Sequence, residues 1–320
     1  MIIVIPTCGR SELLRTTLQT LGECRQPSSP VRTVVAENGP RAGAEEAVRG
    51  AAAWLHAEYQ HSETPNKSAS LNLAIAGAGE ELMVFFDDDV RIASSTLVAY
   101  QQAAERHPAG VFFGGSMGVD YEEAPPEWVK QTLPPSALGV MLDSAAEARK
   151  APFLGCNWAA YASDLRRCGG FNVNVGPGAI SGATGQETEM QVRLSLAGLR
   201  PKVVPDAMVW HYVPKARCSP QWSLARSYKN GMSTGLTRKH DGMQFFGCPT
   251  WLVRKYVGQI IALYLNPMTY SRHRRFKAKC DLQYMRGQMA GLRHVWMHSR
   301  RGAGLGERAV VNLPGTDVAG

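Results

Sequence analysis

Leu82-Met83-Val84-Phe85-Phe86 is an unbroken apolar run, and it stops at three consecutive aspartates, Asp87, Asp88 and Asp89. A short run without polar alternation suits a strand buried on both faces, as in a parallel sheet covered by helices. Three adjacent carboxylates repel one another and add nothing to packing. At the end of such a strand their physical use is a divalent cation: hard carboxylate oxygens bind Mg²⁺ or Mn²⁺, and the metal in turn holds a phosphate.

The preceding residues repeat the theme. Residues 2–5 read as a first buried strand. Leu13, Leu14, Thr17, Leu18 and Leu21 have helical spacing, with Ser11 as the N-cap. A strand over 31–36 ends in the turn signal Glu37-Asn38-Gly39. A helix over 44–56, a short strand near 58–61 and a helix with Leu71, Ala74, Ile75 and Ala78 on its apolar face follow. Strands alternating with helices imply an α/β fold, Rossmann-like, with a mostly parallel sheet and helices on both faces. Ligands bind beyond the carboxyl ends of such strands. Thr7-Cys8-Gly9-Arg10, Glu37-Asn38-Gly39 and the aspartate triplet should therefore meet along one edge.

The second half is less regular. A strand is expected over 111–115, a loop with short helices over 122–142 and a strand over 153–162 leading to Gly169-Gly170-Phe171. A glycine-rich loop over 176–185 precedes a helix over 187–197 with Met190, Leu194 and Ala197 on one face. Strands at 203–204 and 208–210 follow, the second ending at His211. Beyond 212 the character changes. Residues 251–265 are mostly apolar, broken by Arg254 and Lys255, and too short to span a bilayer. Basic residues from Arg272 to Lys279 follow, then Leu282, Met285, Met289, Leu292 and Trp296 at helical spacing. Residues 300–320 lack periodicity and read as a disordered tail.

Charge is unevenly placed. Residues 1–160 hold 12 Lys/Arg against 19 Asp/Glu, and residues 161–320 hold 23 against 8. The basic half faces something anionic: phosphates, an acidic membrane surface or nucleic acid. No interleaved aromatic and basic pattern supports RNA or single-stranded DNA, so nucleic acid is not expected as a partner. The seven cysteines are scattered and form no C-x-x-C pair. They read as reduced thiols of a cytosolic protein rather than a disulfide framework or zinc site. The N-terminus has no basic region ahead of its apolar residues, so no signal peptide is expected.

The motifs together resemble the inverting family 2 glycosyltransferases of the nucleotide-sugar-binding GT-A fold. The matching pieces occur in the family's order over about three quarters of the chain. They are Ile3-Val4-Ile5-Pro6-Thr7 with Arg10, Val34-Val35-Ala36-Glu37-Asn38-Gly39, Asn66 to Asn72, and Phe85-Phe86-Asp87-Asp88-Asp89. Then come Gly155-Cys156-Asn157-Trp158, Gly169-Gly170-Phe171, Gly185-Gln186-Glu187-Thr188-Glu189 with Arg193-Leu194, and the stretch from Pro205 to His211.

The resemblance implies a metal-dependent transfer of a sugar from a nucleotide-diphosphate donor to a hydroxyl of a glycan or lipid-linked acceptor. It maps the triplet onto a D-x-D motif, with Asp87 facing the nucleotide, Asp88 beside it in the nucleotide-sugar site and Asp89 on Mn²⁺ or Mg²⁺. His211 would complete the metal shell. Glu187 would be the general base, although glutamine at 186 and glutamate at 187 replace the family's usual Glu-Asp; Glu189 is the alternative. Glu37 would read the nucleotide base, which favours uridine, with Pro6, Thr7 and Arg10 bordering the pocket. Ser70-Leu71-Asn72 lacks the family's usual arginine, which leaves Lys67 or the basic C-terminal region for the pyrophosphate and Asn72 for the nucleotide. Asn66 or Ser68 could equally start a helix. Asn157 and Trp158 would line the sugar and acceptor clefts.

The implied domains are a catalytic domain over 1–235, with nucleotide-binding (1–110) and acceptor-binding (111–235) halves, and a basic helical extension over 236–299. For 251–265 two readings stay open: an interfacial helix on the inner face of an anionic membrane, and a hairpin packed internally or in a homodimer. Two other functions fit the sequence less well. A nucleotidyltransferase needs a longer glycine-rich phosphate loop than Pro6-Thr7-Cys8-Gly9-Arg10, and a non-catalytic basic module has no use for the retained carboxylates.

Overall fold

The computed structural model describes residues 1–142, 153–179, 184–237, 243–265 and 271–301. They fall into two compact units, one of Met1–Glu122, Pro135–Ile180 and Gly185–Pro214, the other of Glu123–Pro134, Ser181–Thr184 and Lys215–Gly320.

The first unit is an α/β fold on one eight-stranded sheet. Its strands are β1 (Ile2–Thr7), β2 (Arg32–Asn38), β3 (Ala57–Ser62), β4 (Leu82–Phe86), β5 (Val90–Ile92), β6 (Val111–Tyr121), β7 (Asn157–Tyr161) and β8 (Arg200–Val213). They lie in the order β3-β2-β1-β4-β7-β6-β8-β5. Strands β1 to β4 run parallel and β8 runs parallel to β6. Antiparallel pairing enters at β7, which lies between β4 and β6, and at β5, on the outer side of β8.

The unbroken apolar runs have the expected cause. In β1 and β4 alternate residues point to opposite faces, and both faces are covered. Ile3, Ile5, Val84 and Phe86 pack with Leu14 and Leu18 of helix α1 (Ser11–Gly22). Ile2, Val4, Met83 and Phe85 pack on the other side with Leu71 and Ile75 of α3 (Lys67–Ala76). Helices α2 (Ala44–Arg49), α4 (Thr96–Arg106), α6 (Ala162–Arg167) and α7 (Gln186–Leu196) complete the unit; α5 (Glu127–Lys130) belongs to the other.

Local expectations are corrected in three places. Ser11 is the first helical residue and makes no side-chain cap. The helix expected over 44–56 stops at Arg49 with Gly50 as its cap, and the chain reaches β3 through a short 3₁₀ turn and a left-handed His56. The two strands expected at 203–204 and 208–210 are one, because β6 runs beside both; the break is a register shift opposite Gly114 and Ser116. His211 therefore lies inside β8, not at its end.

The second unit holds α8 (Pro220–Thr237), a hairpin of β9 (Gln244–Phe245) and β10 (Cys248–Pro249), α9 (Thr250–Leu265) and α10 (Arg272–Arg301). Its longest segment starts at Lys215, ahead of the boundary expected at 235, and in it α8 packs along α10. Gly231 and Gly235 face Gly287 and Gly291. A Cβ at Gly231 would lie 1.9 Å from the Tyr284 carbonyl oxygen, and one at Gly287 1.9 Å from that of Tyr228. Only glycine allows two helix backbones to meet this closely. Among the described residues no helix is long and apolar enough to cross a membrane. The middle of the glycine-rich 176–185 loop, at 180–183, and the tail beyond 301 lie outside the described residues.

Candidate active site

Pairing of β1 with β4 brings Thr7 and Arg10 to the aspartate triplet. The Thr7 hydroxyl donates to Asp88 Oδ2 at 2.6 Å. Arg10 donates from Nε to the same oxygen at 3.2 Å, from Nη2 to Asp88 Oδ1, and from Nη1 to Asp89 Oδ2 at 2.6 Å. Asp88 is fully buried. Burial pushes its carboxyl up to about 6, with Asp89 and Asp87 adding to the rise and Arg10 and Thr7 opposing it. Asp88 thus turns inward and supports the turn, in contrast to the nucleotide contact expected of it.

Asp87 points the other way. Its Oδ1 accepts from Lys67 Nζ at 2.5 Å. Burial alone would raise the carboxyl and lower the ammonium. Their mutual attraction outweighs it, holding Asp87 below and Lys67 above their ordinary values. Asn66 starts α3, its side chain accepting from the Ala69 amide at 2.9 Å, and so sets the position from which Lys67 reaches across.

His211 arrives from 120 residues downstream through sheet pairing. Val90 faces His211 in the β5–β8 register, and the Tyr212 amide donates to the Asp89 carbonyl at 2.8 Å. His211 Nε2 lies 3.4 Å from Asp89 Oδ1. One ligand atom each from Asp87, Asp89 and His211 lie within 4.8 Å of one another. His211 Nδ1 is buried with no hydrogen-bond partner among the described residues. A buried imidazole whose Nε2 faces Asp89, with Asp87 in reach of both, fits a divalent cation, and one nitrogen with hard oxygens suits Mn²⁺ at least as well as Mg²⁺. Asp87 thereby joins Asp89 and His211 in the candidate metal set.

Residues 2–168, just over half of the chain, match the glycosyl transferase family 2 profile. The chain belongs to this family. Its fold also resembles that of a mannosyltransferase, PcManGT from Pyrobaculum calidifontis, solved with GDP-Man and Mn²⁺. The TM-score is 0.55 at 18% identity, over 92% of this chain and 87% of that one. A second resemblance is to S. aureus TarS 1-349 in complex with UDP-GlcNAc, with a TM-score of 0.50 at 15% identity, over 94% of this chain and 91% of that one. No curated protein matches the sequence. The α/β unit is a GT-A fold, and the protein is a glycosyltransferase.

In this glycosyltransferase Glu187 stands on the first turn of α7, at the wall of a small cavity shared with Pro6, Lys67, Phe86 and Trp158. Gly155 makes room for it: a Cβ there would lie 3.0 Å from the Glu187 side chain. Glu187 is also among the negative charges that hold the Lys67 ammonium above its ordinary value. Lys67 thus pairs with Asp87 and lines the same cavity as Glu187.

The other candidates make contacts within the fold, and Trp158 lines the Glu187 cavity as well. Glu37 is 1% exposed. Its Oε1 accepts from the Ala42 amide at 2.9 Å and its Oε2 from the Tyr59 hydroxyl at 2.5 Å, so it fixes the turn after β2 instead of facing a base. Asn72 exchanges two hydrogen bonds with the Phe171 backbone, at 2.8 and 2.7 Å. Glu189 makes a two-pronged pair with Arg193, which also holds the Cys168 and Gly170 carbonyls. Trp158 is 1% exposed and stacks on Phe85 at 4.8 Å, with its edge to Phe171. Tyr59 and Gly155 have no signature of their own; a tyrosine on a short strand and one glycine among 32 carry no mark of their partners.

Asn157 is fully buried. It donates to the Ser116 and Ala207 carbonyls at 2.8 and 3.1 Å and accepts from Tyr100 at 2.8 Å, tying β6, β7, β8 and α4 together. Asn157→Ala strands three polar groups in the core, each costing about 1–3 kcal/mol. The expected result is a loss of about 3 kcal/mol or more in urea unfolding. A fully stable variant with only a raised KM for acceptor would restore Asn157 to the cleft.

Proposed function

We propose that this glycosyltransferase moves a sugar from a nucleotide-diphosphate donor to a hydroxyl acceptor, with inversion and with metal assistance. The observation that carries the reading is the cluster of Asp87, Asp89 and His211, with Lys67 bonded to Asp87 and lining a small cavity together with Glu187. Asp87, Asp89 and His211 would hold Mn²⁺ or Mg²⁺. A cation bound there neutralises charge developing on the diphosphate leaving group. Arg10 keeps the aspartates in place, since its guanidinium spans Asp88 and Asp89. Glu187 accepts the proton of the acceptor hydroxyl at its carboxylate. The acceptor is a glycan or a lipid-linked glycan.

Uridine is the first base to test, with guanosine as comparison, because the neighbours above were solved with GDP-Man and UDP-GlcNAc. Glu37 shapes the base pocket through the turn it fixes rather than by direct contact. Thermal shift provides the test: a ligand at about 100 times its Kd stabilises by about 2.7 kcal/mol. UDP or a UDP-sugar should raise Tm with Mn²⁺ present and much less with EDTA. No shift with either nucleotide, or equal shifts with and without metal, would overturn the donor reading.

A further inference from the structure

Helix α9 is apolar on the wrong side. Its inward residues, Leu252 and Leu263, are 1% and 8% exposed. Val257, Ile261 and Leu265 form a stripe on the opposite face, 47%, 50% and 74% exposed, and Tyr264 beside them is 76% exposed. Just before the helix, the β9–β10 turn presents Phe245 and Phe246 to solvent, ring against ring at 4.7 Å. Phe246 has φ +48°, which a bulky side chain rarely adopts. Backbone strain of this kind persists where the surroundings enforce it, often where the residue has work at the surface.

The charge beside the two phenylalanines is of one sign. The two phenylalanines, Tyr256 of α9, and Arg286 and Arg293 of α10 line one open cavity of about 420 Å³, and no acidic residue lines it. Arg254 and Lys255 are exposed on α9 itself. From Lys215 onward the sequence has 18 Lys/Arg against 4 Asp/Glu.

We infer that this face of the second unit docks on an anionic lipid bilayer. A helix of 16 residues is too short to cross the hydrocarbon core but long enough to lie in the interface, its apolar stripe in the acyl boundary and its Arg254 and Lys255 at the headgroups. A nucleic acid would use the arginines but leave the apolar stripe in water. A second copy of the chain would cover the stripe but bring basic surface against basic surface. The inference is independent of the donor reading, and its test involves no sugar transfer.

The test is flotation of the full-length protein with vesicles of phosphatidylcholine alone and with about 30% phosphatidylglycerol. Binding should be about tenfold or more stronger to the anionic vesicles and should weaken as salt rises. Val257→Asp with Ile261→Asp, and separately Arg286→Glu with Arg293→Glu, should each reduce it about tenfold or more. All four positions are exposed, so Tm should stay within a few degrees; if one pair melts early, the other decides. Equal binding to both vesicle types, no binding to either, or wild-type binding by the stably folded variants overturns the inference. So does a wild-type dimer in light scattering that Ile261→Asp dissociates without changing vesicle binding, because the stripe is then a contact between copies.

Discussion

Asp89→Asn should lower the transfer rate by about three orders of magnitude and abolish stabilisation by Mn²⁺. The asparagine has the shape of the aspartate, and at 4% exposure the site has no room to rearrange. What changes is charge. A cation that neutralises a departing diphosphate contributes several kcal/mol to the transition state. About 4 kcal/mol corresponds to about 10³ in rate. The substitution also removes the carboxylate that Arg10 grips through Nη1, but Arg10 keeps both bonds to Asp88, so the turn should hold. Two measurements separate the outcomes. Donor turnover across a Mn²⁺ titration reads the metal's role, and melting with Mn²⁺ against EDTA reads its binding. Full activity, or an unchanged metal-dependent shift, would remove Asp89 from the metal set.

The scaffold of this site was legible in the sequence because its strands are buried on both faces. Runs such as Ile2 to Ile5 and Leu82 to Phe86 admit few alternatives, and the polar residues that end them must meet at one sheet edge. The family resemblance named Glu187 and His211. Sheet pairing explains why His211 reaches the triplet: its strand runs on to Val213 and pairs antiparallel with the three residues after Asp89. A short strand in that position has no signature of its own. Asn72, Asn157, Trp158 and Glu189 show the opposite limit. They stand within motif segments, yet each makes contacts within the fold, and sequence shows a polar or aromatic residue without showing what it touches. The Gly231/Gly235 and Gly287/Gly291 pairs went unread for the same reason. Four-residue glycine spacing means close helix contact only when a second helix matches it.

Glu187→Gln should leave donor binding within about threefold and lower kcat about 10³-fold, inside the ~10²–10⁴ range that a positioned general base contributes. Glutamine keeps the side chain's length and its contact with Gly155, so the cavity wall should stay as it is. It cannot take a proton at neutral pH. Glu189 is the nearest alternative on the same helix, but Arg193 holds both of its oxygens, at 2.8 and 2.7 Å. Releasing them would also loosen the Arg193 contacts to Cys168 and Gly170. Glu189→Gln should therefore act on stability, while Glu187→Gln acts on the chemical step. Donor titration, single-turnover rates and the pH profile distinguish them: the acidic limb of the wild-type profile should flatten in Glu187→Gln alone. If that variant turns over at the wild-type rate, or if Glu189→Gln is the one that loses kcat with its melting unchanged, the base is Glu189 or a group outside α7. The three-residue reach from Asp87 through Lys67 to Glu187 would then be a structural ion network rather than a catalytic wall.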